Sequence, residues 1–178
     1  MSPQSFVEQL HKNFLLFDQH FRQLSNDQIQ KKLNPGVWSI AENIEHIIKV
    51  NSSYLPVFTA IAQDTYVRPL MSRLPIVTKK FGTMILKAVS RNREKKMKTF
   101  PLWEPSQSNF QEPLSHLLEN HQTIGTLALQ INPHIQRGVV IASPASKMIV
   151  YSVDDALTII IEHELRHLEQ AKELLQQL

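Results

Sequence analysis

The chain is expected to be all-α, a four-helix bundle with one long basic crossover between its second and third helices. Three features predict this. Four stretches carry apolar residues at intervals of three or four. The connection between the second and third is long, broken by prolines and rich in positive charge. Alternation of the strand type is nearly absent. Each stretch can hide its apolar face only against the others, which is the packing of a bundle.

Along the first stretch, residues 3–24, Phe6, Leu10, Phe14, Phe17, Phe21 and Leu24 share one face, and Pro3 suits a first helical turn. Asn34-Pro35-Gly36 marks a turn, and Ser39 with Glu42 three residues on reads as a capping box opening the second helix. That helix follows Ile40, Ile44, Ile47, Asn51, Tyr54 and Phe58 towards Gln63, with Pro56 expected to remove a hydrogen bond and kink it. In the crossover, residues 76–89 predict a short amphipathic helix with Phe81, Met84, Ile85 and Ala88 inward. The basic run from Arg91 to Lys98 and the Phe100–Pro105 stretch then read as extended connection. A third long helix follows Pro113 through Leu114, Leu117, Leu118, Ile124, Ala128 and Ile131, and Asn132-Pro133 ends it. Residues 138–147 read as loop, with a short extended piece at Val139–Ile141. The last helix begins near Ser152, which with Asp155 three residues on resembles a capping box, and runs through Leu157, Ile161, Leu168 and Leu175.

The totals narrow the class of protein. At 178 residues and 42% hydrophobic content, one soluble domain spanning 1–178 is expected. The chain holds no cysteine, which excludes disulfides, thiol nucleophiles and zinc ribbons, and leaves histidine as the main ligand for a transition metal. No apolar run is long enough to span a bilayer and no signal-peptide pattern opens the chain, so a cytoplasmic protein without a membrane partner is expected. The net charge of +3 conceals an asymmetry. Ten of the nineteen basic residues but only one of the sixteen acids, Glu94, fall between Arg68 and Lys98. This is either a solvated insertion or a contact for an anionic ligand or phosphate backbone. With no aromatic residue between Arg91 and Lys98, base stacking has little support, and nucleic acid is not the expected partner.

The chemical signal lies in the last helix, at His163-Glu164-Leu165-Arg166-His167. Histidines four residues apart on a helix point the same way and can hold one ion between them. At about 100° per residue they sit together on a flank of the apolar face, while Glu164 falls near its centre. A carboxylate placed there must be paired, protonated or beside a cation. His46 sits at the edge of the second helix's apolar arc, and its role depends on what faces it. His121 lies on the apolar face of the third long helix and reads as a satisfied core histidine, with lining of a pocket as the second reading. His11 and His20 read as surface histidines.

Two stretches carry a family resemblance. Trp38-Ser39-Ile40-Ala41-Glu42-Asn43-Ile44-Glu45-His46 resembles the opening of the second helix of the DinB-like family, where a tryptophan precedes a metal-binding histidine by eight residues. His163 to Gln170 resembles that family's last helix, whose HxxxH pair supplies two further ligands. The resemblance implies an up-down-down-up bundle and a site of His46, His163 and His167 for a divalent metal, nickel or zinc. It further implies that the chain is a metal-dependent transferase of low-molecular-weight thiols, with the basic run holding an acidic thiol's carboxylates. Glu164 would then support the ligands or act as the catalytic base for the thiol proton. One departure is Arg166, where relatives often carry another histidine.

Two other readings compete. HExxH is also the metalloprotease motif, in which the glutamate activates a zinc-held water, and a metal-dependent hydrolase with Glu164 as base follows from it. Only the tail 168–178 follows His167, and no edge strand is expected to hold a peptide, so a small molecule is the expected substrate rather than a protein. The third reading is a non-catalytic bundle that binds a partner. Two-fold pairing, the commonest assembly, makes a homodimer the expected oligomer.

Overall fold

A computed structural model describes residues 1–90, 98–106 and 109–178. Of the basic run expected at 91–98, only Lys98 lies within the described residues.

Four long helices form the body: α1 (Pro3–Phe21), α3 (Ile40–Ala62), α5 (Pro113–Gln130) and α7 (Val153–Leu175). Their starts are fixed where short polar side chains can satisfy free backbone N–H groups. Ser39 accepts from the Glu42 amide while the Glu42 carboxylate accepts from the Ser39 amide, and the Ser152 hydroxyl accepts from the Asp155 amide. α3 continues through Pro56 without interruption. Short elements that were not anticipated include α2 (Asn26–Gln30), opened by a Ser25/Gln28 capping box, α6 (Asn132–Gln136), a hairpin, and 3₁₀ turns at Leu70–Arg73 and at Pro101–Trp103, the latter inside the stretch expected to be extended.

The hairpin takes in most of the short extended piece expected at Val139–Ile141 and corrects the rest of the loop expected at 138–147. β1 (Val140–Ser143) pairs antiparallel with β2 (Ser146–Ser152), with Ile141 opposite Tyr151. Its strands bury Ile141, Val150 and Tyr151, and the Tyr151 hydroxyl meets that of Tyr54 on α3 at 2.8 Å. Burial along β2 does not alternate, since Val150 and Tyr151 are both buried, which is why its strand pattern was not legible.

The crossover helix α4 (Pro75–Val89) packs on α7 and β2. Its inner face is centred on Gly82, where a Cβ would stand 2.5 Å from Asp155 Oδ2. That close approach turns Thr78, Ile85, Leu86 and Val89 inward and leaves Met84 exposed, contrary to its expected inward position. Leu118, also expected inward on α5, stands at the exposed edge.

α1 and α3 each pack against both α5 and α7. The apolar interior falls into two clusters. One joins Phe6 and Leu10 of α1, Val50 to Ile61 of α3, Ile124 and Ala128 of α5, and Val153 to Ile161 of α7. The other joins Phe17 and Phe21, Ile40 to Ile47, Leu117, and Leu168 to Leu174. Between them lies a belt of buried polar side chains: Asn13, His46, Asn51, Asn120, His121, His163, Glu164 and His167. Polar groups withdrawn from water are costly unless bonded, so this belt is where chemistry concentrates.

Candidate metal centre

α3 and α7 bring His46, His163 and His167 together, each between 3 and 9% exposed. Their ring centroids form a triangle with sides of 5.0 Å (His46–His163), 4.5 Å (His46–His167) and 4.5 Å (His163–His167). One nitrogen from each lies within 4.8 Å of the other two. Trp38 walls the cluster, its ring centroid 4.8 Å from that of His46 and stacked 6.0 Å from that of His167.

Two of the three tautomers follow from the partners. His46 Nδ1 lies 2.7 Å from the carbonyl oxygen of Trp103, which can only accept, so Nδ1 carries the proton and Nε2 keeps its lone pair. Asn43 donates through Nδ2 to the Ser39 carbonyl at 2.9 Å, which leaves its Oδ1 to accept from His167 Nδ1 at 2.9 Å. His167 Nε2 therefore carries that ring's lone pair, on the side away from Asn43. A ligating imidazole held through its other nitrogen by a carbonyl oxygen is the usual support of a metal site.

His46 Nε2 stands 3.1 Å from His163 Nε2, while His163 Nδ1 is buried with no hydrogen-bond partner among the described residues. Two nitrogens bound to one tetrahedral ion at about 2.1 Å stand roughly 3.4 Å apart, so the spacing fits a shared divalent ion. Burial is the main force lowering the His46 pKa from 6.5 to about 4, partly opposed by the Trp103 hydrogen bond and assisted by Lys49. Burial also holds His163 well below its ordinary value, with His46 and Arg166 adding to it. Both rings are thus neutral at pH 7, the state that binds metal.

The connection carrying Trp103 is pinned across one face of α3. Besides the His46 contact, Lys49 donates to the Glu104 carbonyl at 2.8 Å, and the Ser106 amide donates to Glu45 Oε1 at 2.9 Å. Arg166 donates to the carbonyls of Ala88 and Ser90, both at 3.1 Å, and so ties the end of α4 to α7 next to His167.

Glu164 occupies a different environment. It is fully buried, and its Oε2 accepts from Asn13 at 2.8 Å, while Oε1 accepts from Asn51 at 2.8 Å and His121 at 3.0 Å. Asn51 also donates to Asn120 at 3.0 Å, and Asn120 donates to Ser52 at 2.9 Å. One carboxylate therefore links α1, α3, α5 and α7. His121, expected to be a satisfied core histidine, is bound here through Nε2 only, its Nδ1 being buried with no hydrogen-bond partner among the described residues. Asn43 and the Trp103 carbonyl were not singled out from the sequence as parts of the site. Asn43, one turn before His46 and on its side of α3, was the legible clue, whereas a backbone carbonyl on a connection gives none.

A helical protein with a buried cluster of three histidines, two of them oriented by carbonyl oxygens, is the kind that holds a divalent cation. The chain matches the DinB superfamily over residues 9–171 and belongs to that superfamily. Comparison with curated proteins and with solved structures gives no match.

Proposed function

We propose that the protein is a divalent-metal-dependent enzyme of the thiol S-transferase type, built as an up-down-down-up four-helix bundle spanning 1–178 and working in the cytoplasm. The chain direction is supported by the two apolar clusters. The start of α1 and of α7 meets the ends of α3 and α5 in one cluster, and the reverse holds in the other.

The observation that carries the functional reading is the convergence of His46, His163 and His167, with the Nδ1 protons of His46 and His167 directed away from the centre by Trp103 and Asn43. His46, His163 and His167 would hold nickel or zinc. When bound, an ion with three neutral imidazole ligands keeps its full charge and an open position, and supplies Lewis acidity towards a thiol or water. Trp38 shields one side of the cluster from water. Glu164 belongs to the scaffold in this reading, its hydrogen bonds to three other helices fixing α7 in the bundle. A hydrolase would need Glu164 as its base, and both its oxygens already accept protein hydrogen bonds, which favours transfer over hydrolysis. The preference for a thiol rests on the likeness to thiol-transferring family members.

The test is turnover by metal-loaded protein of low-molecular-weight thiols with an alkylating electrophile, followed by thiol consumption. Activity should vanish in His46→Ala. Ester or amide hydrolysis that is lost in Glu164→Gln, without thiol turnover, would establish the hydrolase instead. A His46→Ala protein that binds metal as before would leave only a partner-binding bundle.

A further inference from the structure

The outer face of α4 has no role in the metal centre. Residues 78, 82, 85, 86 and 89 face the body of the protein. At about 100° per residue, Ile76, Lys79, Lys80, Thr83, Met84 and Lys87 fall on the opposite arc, and together they line one shallow surface hollow. Ile76 is 85% exposed and Met84 47%. The turn before α4 extends the pattern: Val67 is 86% and Leu70 79% exposed, next to Arg68 and Arg73. No acid occurs in the sequence between Asp64 and Glu94. A solvated insertion accounts for the lysines and arginines but not for Val67, Leu70 and Ile76 standing almost wholly in water beside them.

From this we infer that the outer face of α4 is a docking surface for an anionic phospholipid bilayer. Amphipathic helices that lie in a membrane interface combine lysines, which attract acidic headgroups, with aliphatic tips that enter the headgroup and acyl boundary. Long lysine stems let the ammonium groups reach outward while their methylenes lie beside Ile76 and Met84. The absence of a membrane span among the described helices bears on crossing a bilayer and not on lying upon one. Other occupants fit less well. A second copy paired about a two-fold axis through this face would set its three lysines against an equally basic face without an acid. A nucleic-acid backbone gives Val67, Leu70 and Ile76 nothing to bury against. A folded acidic protein needs a matching recess for each protruding side chain, whereas lipid conforms to them.

The test is co-sedimentation of the full, metal-loaded chain with vesicles of phosphatidylcholine alone or mixed with phosphatidylglycerol. Binding should require phosphatidylglycerol and weaken steeply with added salt. Lys79→Glu/Lys80→Glu/Lys87→Glu should lower the partition coefficient on the order of a hundredfold. Ile76→Ser/Met84→Ser should lower it about tenfold on the same vesicles. Both variants alter exposed side chains, and an unchanged melting temperature confirms that each is folded. Absence of vesicle binding at low salt would overturn the proposal, marking a solvated face or one kept for a protein. So would equal binding to both vesicle types, or binding that either variant leaves unchanged.

Discussion

His163 and Glu164 are sequence neighbours on one helix, are both buried, and belong to the same polar belt, yet they sit in opposite situations. Each carboxylate oxygen of Glu164 meets a donor supplied by the protein. His163 has one nitrogen without a partner among the described residues and the other against His46 Nε2, itself a lone pair by virtue of the Trp103 contact. A polar group whose bonding capacity is filled by its own chain holds a fold together. One whose capacity is left open among like groups is prepared for a visitor. The turn of about 100° between consecutive helical residues is enough to separate these two roles.

Substitution should separate them as well. The largest effect is expected at the centre itself, where His163→Ala should take bound nickel or zinc from about one ion per chain to none. The same change should alter the stability of the metal-free protein by only about 1 kcal/mol in urea unfolding. Glu164→Ala should do the reverse, costing roughly 3–5 kcal/mol, because Asn13, Asn51 and His121 would keep buried donors with nothing to accept them. Should the two substitutions destabilise the metal-free protein equally, the division between site and scaffold fails.

Acid should reveal the histidines' burial. The His46 pKa of about 4 lies below the ordinary 6.5, so between those values the unfolded chain binds the proton and the folded chain does not. Metal-free protein should therefore be most stable above pH 6.5 and lose about 3 kcal/mol from this group as pH falls to 4. His163 shifts in the same direction. A flat stability profile across this window would show that His46 is not held neutral. Asn43→Ala, which frees His167 Nδ1 from its acceptor, should weaken metal binding by about 10- to 100-fold without abolishing it. The smallest effect is expected away from both regions. Gly82→Ala presses a methyl group against the Asp155 side chain, which can swing aside, and should lower stability by about 1 kcal/mol in thermal unfolding.

The sequence was most informative where a period or a cap repeats. The long helices follow stripes such as Ile40, Ile44 and Ile47 or Leu157, Ile161 and Leu168, and Ser39 and Ser152 mark their starts. The HxxxH spacing placed His163 and His167 together, and the resemblance added His46. The partners that decide what each polar group does were less legible. Trp103 meets His46 across 57 positions and Asn13 meets Glu164 across 151, and no local pattern encodes contacts at that range. Met84 lies on the apolar stripe of α4 by composition, but the inward face is set by the absence of a side chain at Gly82.

The central claim is that adjacent residues of α7 serve the metal and the scaffold separately. Its most direct test is metal content per chain, by elemental analysis, in protein purified without a metal-affinity tag and compared with His163→Ala and Glu164→Gln. The account predicts about one nickel or zinc in the unaltered protein and in Glu164→Gln, and none in His163→Ala. Metal retained by His163→Ala, or lost from a folded Glu164→Gln, would contradict it.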